Sequence, residues 1–156
     1  MSPDYQTPAV SAQVQGNIGA TKAVALDVNA ACSGFVYGLQ VVHRLLMGDS
    51  PKTALLIGGE TLSRLVDWQD RSTAVLFGDG AGGVVLTSAL AQDGAFIAAD
   101  YRTMGEQGRY LTAGANGVVS PFSRDPQPVL PSLKMIGRRV TIFRSNKALA
   151  DRRSFA

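Results

Sequence analysis

Apolar residues recur along this chain at spacings that predict alternating helices and strands. A helical spacing predicts a helix over residues 7–18, with Thr7 as its N-cap. The apolar run at residues 23–28 predicts a buried strand. Residues 32–47 predict a longer helix that is apolar almost all round, which is typical of a buried central helix.

Further apolar runs predict four more strands, at residues 53–57, 72–77, 83–87 and 96–101. The order strand, helix, strand around the helix at 32–47 implies one right-handed parallel crossover. The later strands lack helix-length connections, which favours antiparallel neighbours at one edge of the sheet. The predicted fold class is therefore α/β, in layers.

The chain has 156 residues, of which 46% are hydrophobic and 17% are charged. This composition excludes an intrinsically disordered protein, which needs low hydrophobicity and high charge. The apolar stretch at 30–46 is too short, and too polar at its flanks, to span a membrane. No secretory leader is visible, so we expect a cytoplasmic protein with no membrane partner. A single cysteine excludes an internal disulfide and a cysteine-based zinc cage, and we expect no metal.

The net charge of +3 is distributed unevenly. From Lys134 to the end, seven basic residues and one acidic residue give +6, whereas the preceding part carries eight basic and eleven acidic residues, or −3. The basic tail has neither interleaved aromatic residues nor a nucleic-acid-binding motif. We therefore expect an irregular, solvated tail and no nucleic-acid partner.

The stretch at residues 27–35 reads Asp-Val-Asn-Ala-Ala-Cys-Ser-Gly-Phe and places Cys32 between a predicted strand and a predicted helix. Open α/β sheets present their ligands at strand ends, and a helix N-terminus favours the thiolate, the nucleophilic form of cysteine. The backbone N–H of Cys32 can also stabilise an oxyanion. Cys32 is therefore a candidate nucleophile, although a lone cysteine in an apolar setting is also an ordinary core residue.

Two features resemble other catalytic motifs but have the wrong geometry. The only histidine, His43, lies eleven residues from Cys32 along the same predicted helix, which is about 16 Å along its axis and too far for a Cys–His pair. The glycine-rich run at 78–83 leads into a strand rather than a helix, so it does not fit a dinucleotide-binding loop. We expect that run to be a tight connection between strands.

Four motifs follow one another along the chain, namely Asp-Val-Asn-Ala-Ala-Cys-Ser-Gly-Phe, Gly-Glu-Thr-Leu-Ser-Arg, Asp-Trp-Gln-Asp-Arg and Leu-Phe-Gly-Asp-Gly-Ala-Gly, at residues 27–35, 59–64, 67–71 and 76–82. Their order and spacing resemble those of the β-ketoacyl-acyl-carrier-protein synthase III family. The chain resembles this family from about residue 2 to about residue 137. The resemblance implies a thiolase-like layered fold.

The resemblance also implies a division of the chain. Residues 1–111 would form the later part of the family's N-terminal half-domain, and residues 112–137, rich in Gly, Pro, Ser and Asn, would be a linker toward a second half. Residues 138–156 form a divergent basic tail that departs from the family pattern. Because the charge rises at the same place, we expect a truncated or frame-shifted product.

The same resemblance implies roles for five residues. Cys32 would be the acylated nucleophile, and Arg71 would contact the nucleotide part of coenzyme A. Leu76 and Phe77 would line the acyl pocket. Thr7 stands where some family members carry a phenylalanine that reaches into the partner subunit's acyl pocket, so its small side chain would leave room for a longer acyl chain. No cofactor is implied, because the coenzyme A thioester is a substrate.

The implied activity is that of an acyltransferase that starts fatty-acid synthesis. An acyl group would move from acyl-coenzyme A to Cys32, and malonyl-acyl-carrier protein would then lose carbon dioxide and attack the thioester. The histidine and asparagine that assist this condensation belong to the family's second half. We therefore expect no condensation by this chain alone. The resemblance also implies a homodimer in the intact family. Two alternatives stay open, namely a non-catalytic subunit and a related polyketide-type acyltransferase.

Overall fold

The computed structural model describes residues 2–49, 52–88, 99–114, 122, 132–137 and 140. The chain divides into two compact units. The first comprises Met1–Thr61 and Asp79–Ala99, and the second comprises Leu62–Gly78 and Asp100–Ala156.

The first unit contains two α-helices and a two-stranded sheet in its described part. Its elements are α1 (Val10–Asn17), a 3₁₀ turn (Ala31–Ser33), α2 (Gly34–Leu46), β1 (Thr53–Thr61) and β2 (Asp79–Thr87). Helix α2 packs against β1. This arrangement places the 3₁₀ turn, and Cys32 within it, directly before the helix that covers the sheet.

Strands β1 and β2 pair antiparallel, with a register that runs from Thr53 opposite Thr87 to Thr61 opposite Asp79. The predicted strands at 53–57 and 83–87 are confirmed, and the structure pairs them antiparallel with each other. The predicted connection at 78–83 is wrong, since residues 79–83 form the first half of β2. A Cβ at Gly83 would lie 2.9 Å from the Leu56 carbonyl oxygen, so a glycine here permits close approach of the strands.

Two glycines allow α2 to lie close to β1. A Cβ on Gly38 would stand 2.7 Å from a methyl carbon of Leu56, and a Cβ on Gly58 would stand 3.3 Å from the ring of Phe35. The predicted helix is confirmed in place, but its burial all round is wrong. Gly38 and Leu46 are its buried residues, and apolar side chains such as Val36 are exposed, because β1 covers one side of the helix.

Helix α1 begins later than predicted and is capped differently. Its N-cap residue is Ala9, which has no side-chain hydrogen bond, and Thr7 lies further upstream, so the predicted Thr7 cap is wrong. The Asp27 carboxylate instead accepts hydrogen bonds from the backbone N–H groups of Val10 and Ser11, at 2.9 and 2.8 Å. A distant acid therefore satisfies the N–H groups that have no partner within the helix.

The predicted strand at 23–28 is absent from the structure. Residues 23–28 have no assigned strand, and the side chain of Val24 is 93% exposed. In the described part of the chain the first unit's sheet consists of β1 and β2, so the predicted parallel crossover is absent too. The physical reason is that an apolar run forms a strand only where a neighbouring strand supplies the ladder hydrogen bonds.

The second unit contains helix α3 (Arg71–Ala74), where the apolar pattern predicted a strand at 72–77. Asp70 explains the difference. Its carboxylate accepts hydrogen bonds from the N–H of Ser72 at 3.0 Å and from the hydroxyl of Thr73 at 2.9 Å. This side-chain cap favours a helical turn over an extended chain. Hydrogen bonds from Ser72 and Thr73 also lower the pKa of Asp70 below its ordinary value.

The buried residues of the second unit include Val66, Thr73 and Leu133. The N–H of Leu133 donates a 2.6 Å hydrogen bond to the carbonyl of Leu65, so the end of the predicted linker at 112–137 contacts the chain before α3. The second unit also contains two short strands, β3 (Leu111–Thr112) and β4 (Lys134–Met135), which pair antiparallel.

Some predictions concern residues that lie mostly outside the described ranges. Of the predicted strand at 96–101, residues 99–101 are described and have no assigned strand. The basic tail at 138–156 is described at Val140 alone, so its irregular structure stays a prediction. Within the described ranges, no helix combines the length and the apolar character that a membrane span requires.

Candidate functional site

Cys32 is exposed and lies in the middle of the 3₁₀ turn that leads into α2. Ser33 occupies the N-cap position of α2 and makes no side-chain hydrogen bond to the helix start. The first N–H groups of a helix carry a partial positive charge that favours a nearby anion. Cys32 is thus accessible to a substrate, and it is not an ordinary core residue.

The backbone just before Cys32 turns sharply. Ala31 has a φ of +47°, in the left-handed region that residues with a Cβ rarely adopt. The side-chain oxygen of Asn29 accepts a 3.3 Å hydrogen bond from the N–H of Ala31, and the N–H of Ser33 donates a 3.1 Å bond to the carbonyl of Ala30. These two bonds bracket the turn that presents Cys32.

His43 lies in the last turn of α2, at the end opposite Cys32. The predicted separation of the two residues therefore holds, and a Cys–His pair does not form within the chain. Among the residues that the structure describes, His, Cys, Asp and Glu side chains form no group of three or more that could hold a metal ion.

The other predicted site residues fall in two groups. Thr7 lies in the first unit with Cys32, is exposed and precedes α1. Arg71 is the exposed first residue of α3 in the second unit, and the chain after that helix carries Leu76, 60% exposed, and Phe77, half-buried. The coenzyme contact at Arg71 and the acyl-pocket positions stay predictions.

Sequence reasoning missed the roles of Asp27 and Asn29. Burial raises the pKa of Asp27, but hydrogen bonds from Ser11 and Val10 outweigh this effect, so the pKa lies below its ordinary value. Residue type alone does not reveal these roles, because that of Asp27 depends on a helix sixteen residues away and that of Asn29 on the backbone angle of Ala31.

Glu60, in the second of the four motifs, binds the start of the chain. Its carboxylate accepts hydrogen bonds from the N–H and the hydroxyl of Ser2, at 3.0 and 2.6 Å. The Ser2 hydroxyl oxygen in turn accepts a 2.7 Å bond from the N–H of Thr61. Burial raises the pKa of Glu60, but the bonds from Ser2 help to bring it below the ordinary value. This carboxylate therefore has a structural role at the end of β1.

The sequence profile of the 3-oxoacyl-[acyl-carrier-protein] synthase III family matches residues 26–105, just over half of the chain. The matched segment contains Cys32, α2, the sheet and Arg71. The chain belongs to this family. Membership favours the synthase III interpretation over the polyketide-type alternative.

Named relatives agree with this result. The β-ketoacyl-[acyl-carrier-protein] synthase III of Levilactobacillus brevis is 94% identical over 143 residues, which cover 92% of this chain and 44% of that protein. The synthase III of Lactobacillus helveticus is 62% identical with the same coverage. The chain thus spans less than half the length of these relatives.

Solved structures give the same picture of the fold. The crystal structure of the Thermus thermophilus synthase III matches with a TM-score of 0.77 at 34% identity, over 92% of this chain and 43% of that one. The synthase III of Pseudomonas aeruginosa matches with a TM-score of 0.76 at 39% identity, over 88% of this chain and 42% of that one. The predicted α/β class, as part of a thiolase-like fold, is therefore confirmed.

Proposed function

We propose that Cys32 accepts an acyl group from acyl-coenzyme A, which is the acyl-transfer half of the synthase III reaction. The observation that carries the proposal is the exposure of Cys32 in the turn before α2, in a chain of this family. An accessible thiolate is the form of cysteine that attacks a thioester.

In the proposed step the sulfur of Cys32 attacks the carbonyl carbon of the acyl thioester. A carbon–sulfur bond to Cys32 forms, the carbon–sulfur bond to coenzyme A breaks, and the coenzyme leaves as a thiolate that takes a proton from solvent. Negative charge develops on the carbonyl oxygen during this step. The backbone N–H of Cys32 is the proposed donor to that oxygen.

The substrate contacts are part of the same proposal. Arg71 is exposed, and its planar guanidinium suits the phosphate and base of the coenzyme. The exposed side chain of Leu76, together with Phe77, would contact the acyl chain. Thr7 would leave space for a longer chain in the dimer. No bound cofactor is proposed, since the coenzyme enters and leaves as substrate and product.

For the full-length protein, we propose the condensation that completes the family reaction. Malonyl-acyl-carrier protein would lose carbon dioxide, its carbanion would attack the Cys32 thioester, and the Cys32 thiolate would leave. We propose a homodimer as the assembly. We also propose a cytoplasmic setting, because a reducing compartment preserves the free thiol that the reaction needs. With less than half of its relatives' length, this chain alone should stop at the acyl-enzyme.

Intact-mass spectrometry after incubation with acetyl-coenzyme A tests the proposed acyl transfer. We expect the purified chain to gain the mass of one acetyl group, and hydroxylamine, which cleaves thioesters, should remove it. Cys32→Ala should gain nothing. An unmodified wild-type chain, or an acetyl group retained by Cys32→Ala, would contradict the role of Cys32 and leave the non-catalytic subunit as the better interpretation. Adding malonyl-acyl-carrier protein should yield no ketoacyl product.

A further inference from the structure

We propose that Asn29 is a positioning residue that holds Cys32 at the start of α2 by fixing the backbone of Ala31. The inference deepens the proposed function and rests on the assignment of Cys32 as the acyl acceptor. Asn29 acts through Ala31 rather than through the reacting atoms, so it is not a catalytic residue.

The first observation is the backbone conformation of Ala31. Among the residues that the structure describes, Ala31 is the only one other than glycine with a positive φ, at +47°. The left-handed region brings the Cβ of an L-residue close to its own carbonyl oxygen, so an alanine leaves it unless other contacts hold it there. Ala31 immediately precedes Cys32, so a change in its backbone would redirect the cysteine.

The second observation is the contact that holds Ala31. The side-chain oxygen of Asn29 accepts the N–H of Ala31 at 3.3 Å, which closes a short turn of the kind that asparagine favours. Alanine at position 29 would remove the acceptor while leaving the backbone free to relax. The turn would then lose the bond that opposes the strain at Ala31.

The third observation is the anchor on the other side of Asn29. Asp27 lies two residues upstream and is tied to α1 by hydrogen bonds from Val10 and Ser11 at 2.9 and 2.8 Å. The segment before the nucleophile is thus fixed at Asp27, turned by Asn29 and continued into α2. Asp27 anchors the start of this segment, and Asn29 sets the direction in which the chain reaches Cys32.

The test measures the reactivity of Cys32 in two ways, with iodoacetamide and with acetyl-coenzyme A. We expect Asn29→Ala to lower both rate constants about fivefold, the factor that one neutral hydrogen bond typically supplies. The concentration of acetyl-coenzyme A that gives half the maximal rate should stay unchanged, because Asn29 contacts the backbone rather than the substrate. Asn29→Ser keeps a side-chain oxygen acceptor and should retain most of the rate.

A second variant tests the route through Ala31. Glycine adopts a positive φ readily, so Ala31→Gly should make the bond from Asn29 dispensable. The double variant Asn29→Ala with Ala31→Gly should therefore react at nearly the rate of Ala31→Gly alone. If Asn29→Ala lowers the rate constants by the same factor in wild type and in Ala31→Gly, the proposal is overturned. It is also overturned if both rate constants of Asn29→Ala match those of wild type.

Thermal unfolding separates positioning from a merely structural role. A folding defect in Asn29→Ala would lower the unfolding temperature and the final fraction of acetylated protein, with the rate constants of the folded protein unchanged, and that result would refute positioning. If wild-type Cys32 reacts with iodoacetamide but takes no acetyl group, the proposed function fails, whereas the alkylation rates of the variants still decide the role of Asn29.

Discussion

Asp27 stabilises α1 from sixteen residues further along the chain, by accepting the N–H of Ser11. A local sequence pattern places the cap at Thr7, because threonine followed by proline is a common start of a helix. The folded chain brings a carboxylate to the same helix end, and a full negative charge there interacts more favourably with the helix dipole than a hydroxyl does. The helix start therefore moves to Val10.

Replacing Asp27 by alanine should destabilise the chain by about 1 kcal/mol at pH 7, the usual effect of losing a helix cap. The pKa of Asp27 lies below its ordinary value of 3.8, so the carboxylate stabilises the fold above about pH 4, and this contribution is lost as the pH falls through the folded-state pKa. Thermal unfolding of wild type and Asp27→Ala between pH 2.5 and pH 7 measures the effect. A stability difference that stays constant over this range would contradict it.

Among single residues, Cys32 could be identified from the sequence and Asn29 could not. Cys32 is unique in composition and stands in a recognisable motif, so its chemistry is visible without coordinates. The role of Asn29 depends on the φ of Ala31, and a backbone angle at a non-glycine residue leaves no mark in the sequence. Residue type predicts reactive groups better than it predicts the groups that position them.

At the scale of elements, helix capping and strand pairing determined the secondary structure of two segments for which the apolar pattern was misleading. The run at 72–77 has the composition of a strand, yet Asp70 caps a helical turn at its start. The run at 78–83 contains the residues of a turn, yet residues 79–83 pair with β1. The places of β1 and α2 were predicted correctly, because both have a clear apolar pattern, although β1 continues past the predicted end at residue 57 to Thr61.

The pairing of β1 with β2 requires glycine at position 83 but not at position 82. A Cβ at Gly83 would lie 2.9 Å from the carbonyl oxygen of Leu56, whereas a Cβ at Gly82 would have no atom within 4 Å. Gly83→Ala should therefore destabilise the chain by about 1–3 kcal/mol, as overpacking does. Gly82→Ala, the matched control, should be as stable as wild type or slightly more so. Urea unfolding compares the two, and equal destabilisation would contradict the close-approach argument.

At the scale of the whole molecule, apolar side chains remain exposed on one face of the sheet in the first unit. Leu55 and Ile57 of β1 and Val85 of β2 are 48%, 47% and 66% exposed, and all three belong to the face opposite the one that carries Leu56 and Gly58. An apolar face of this kind promotes association between chains. The chain should therefore bind hydrophobic dyes and associate as its concentration rises.

Val85→Lys should reduce this association, because it replaces the most exposed of these three apolar side chains with a charge. Thr87→Lys is the matched control, since Thr87 lies on the same face of β2 and the change adds the same charge without removing an apolar group. Light scattering over a range of concentrations measures the effect. Equal reductions by both variants would show that net charge, rather than the apolar face, governs association.

The amino-acid sequence by itself determined the family, the α/β class, the candidate nucleophile and the elements with a clear apolar period, because these depend on residue type and short-range spacing. Tertiary structure alone decided the absence of a strand at 23–28, the one-sided burial of α2, the cap from Asp27 and the turn at Ala31. Each of those depends on which distant group supplies a hydrogen bond or covers an apolar surface. These distant groups come into contact only when the chain folds, so the local sequence does not reveal them.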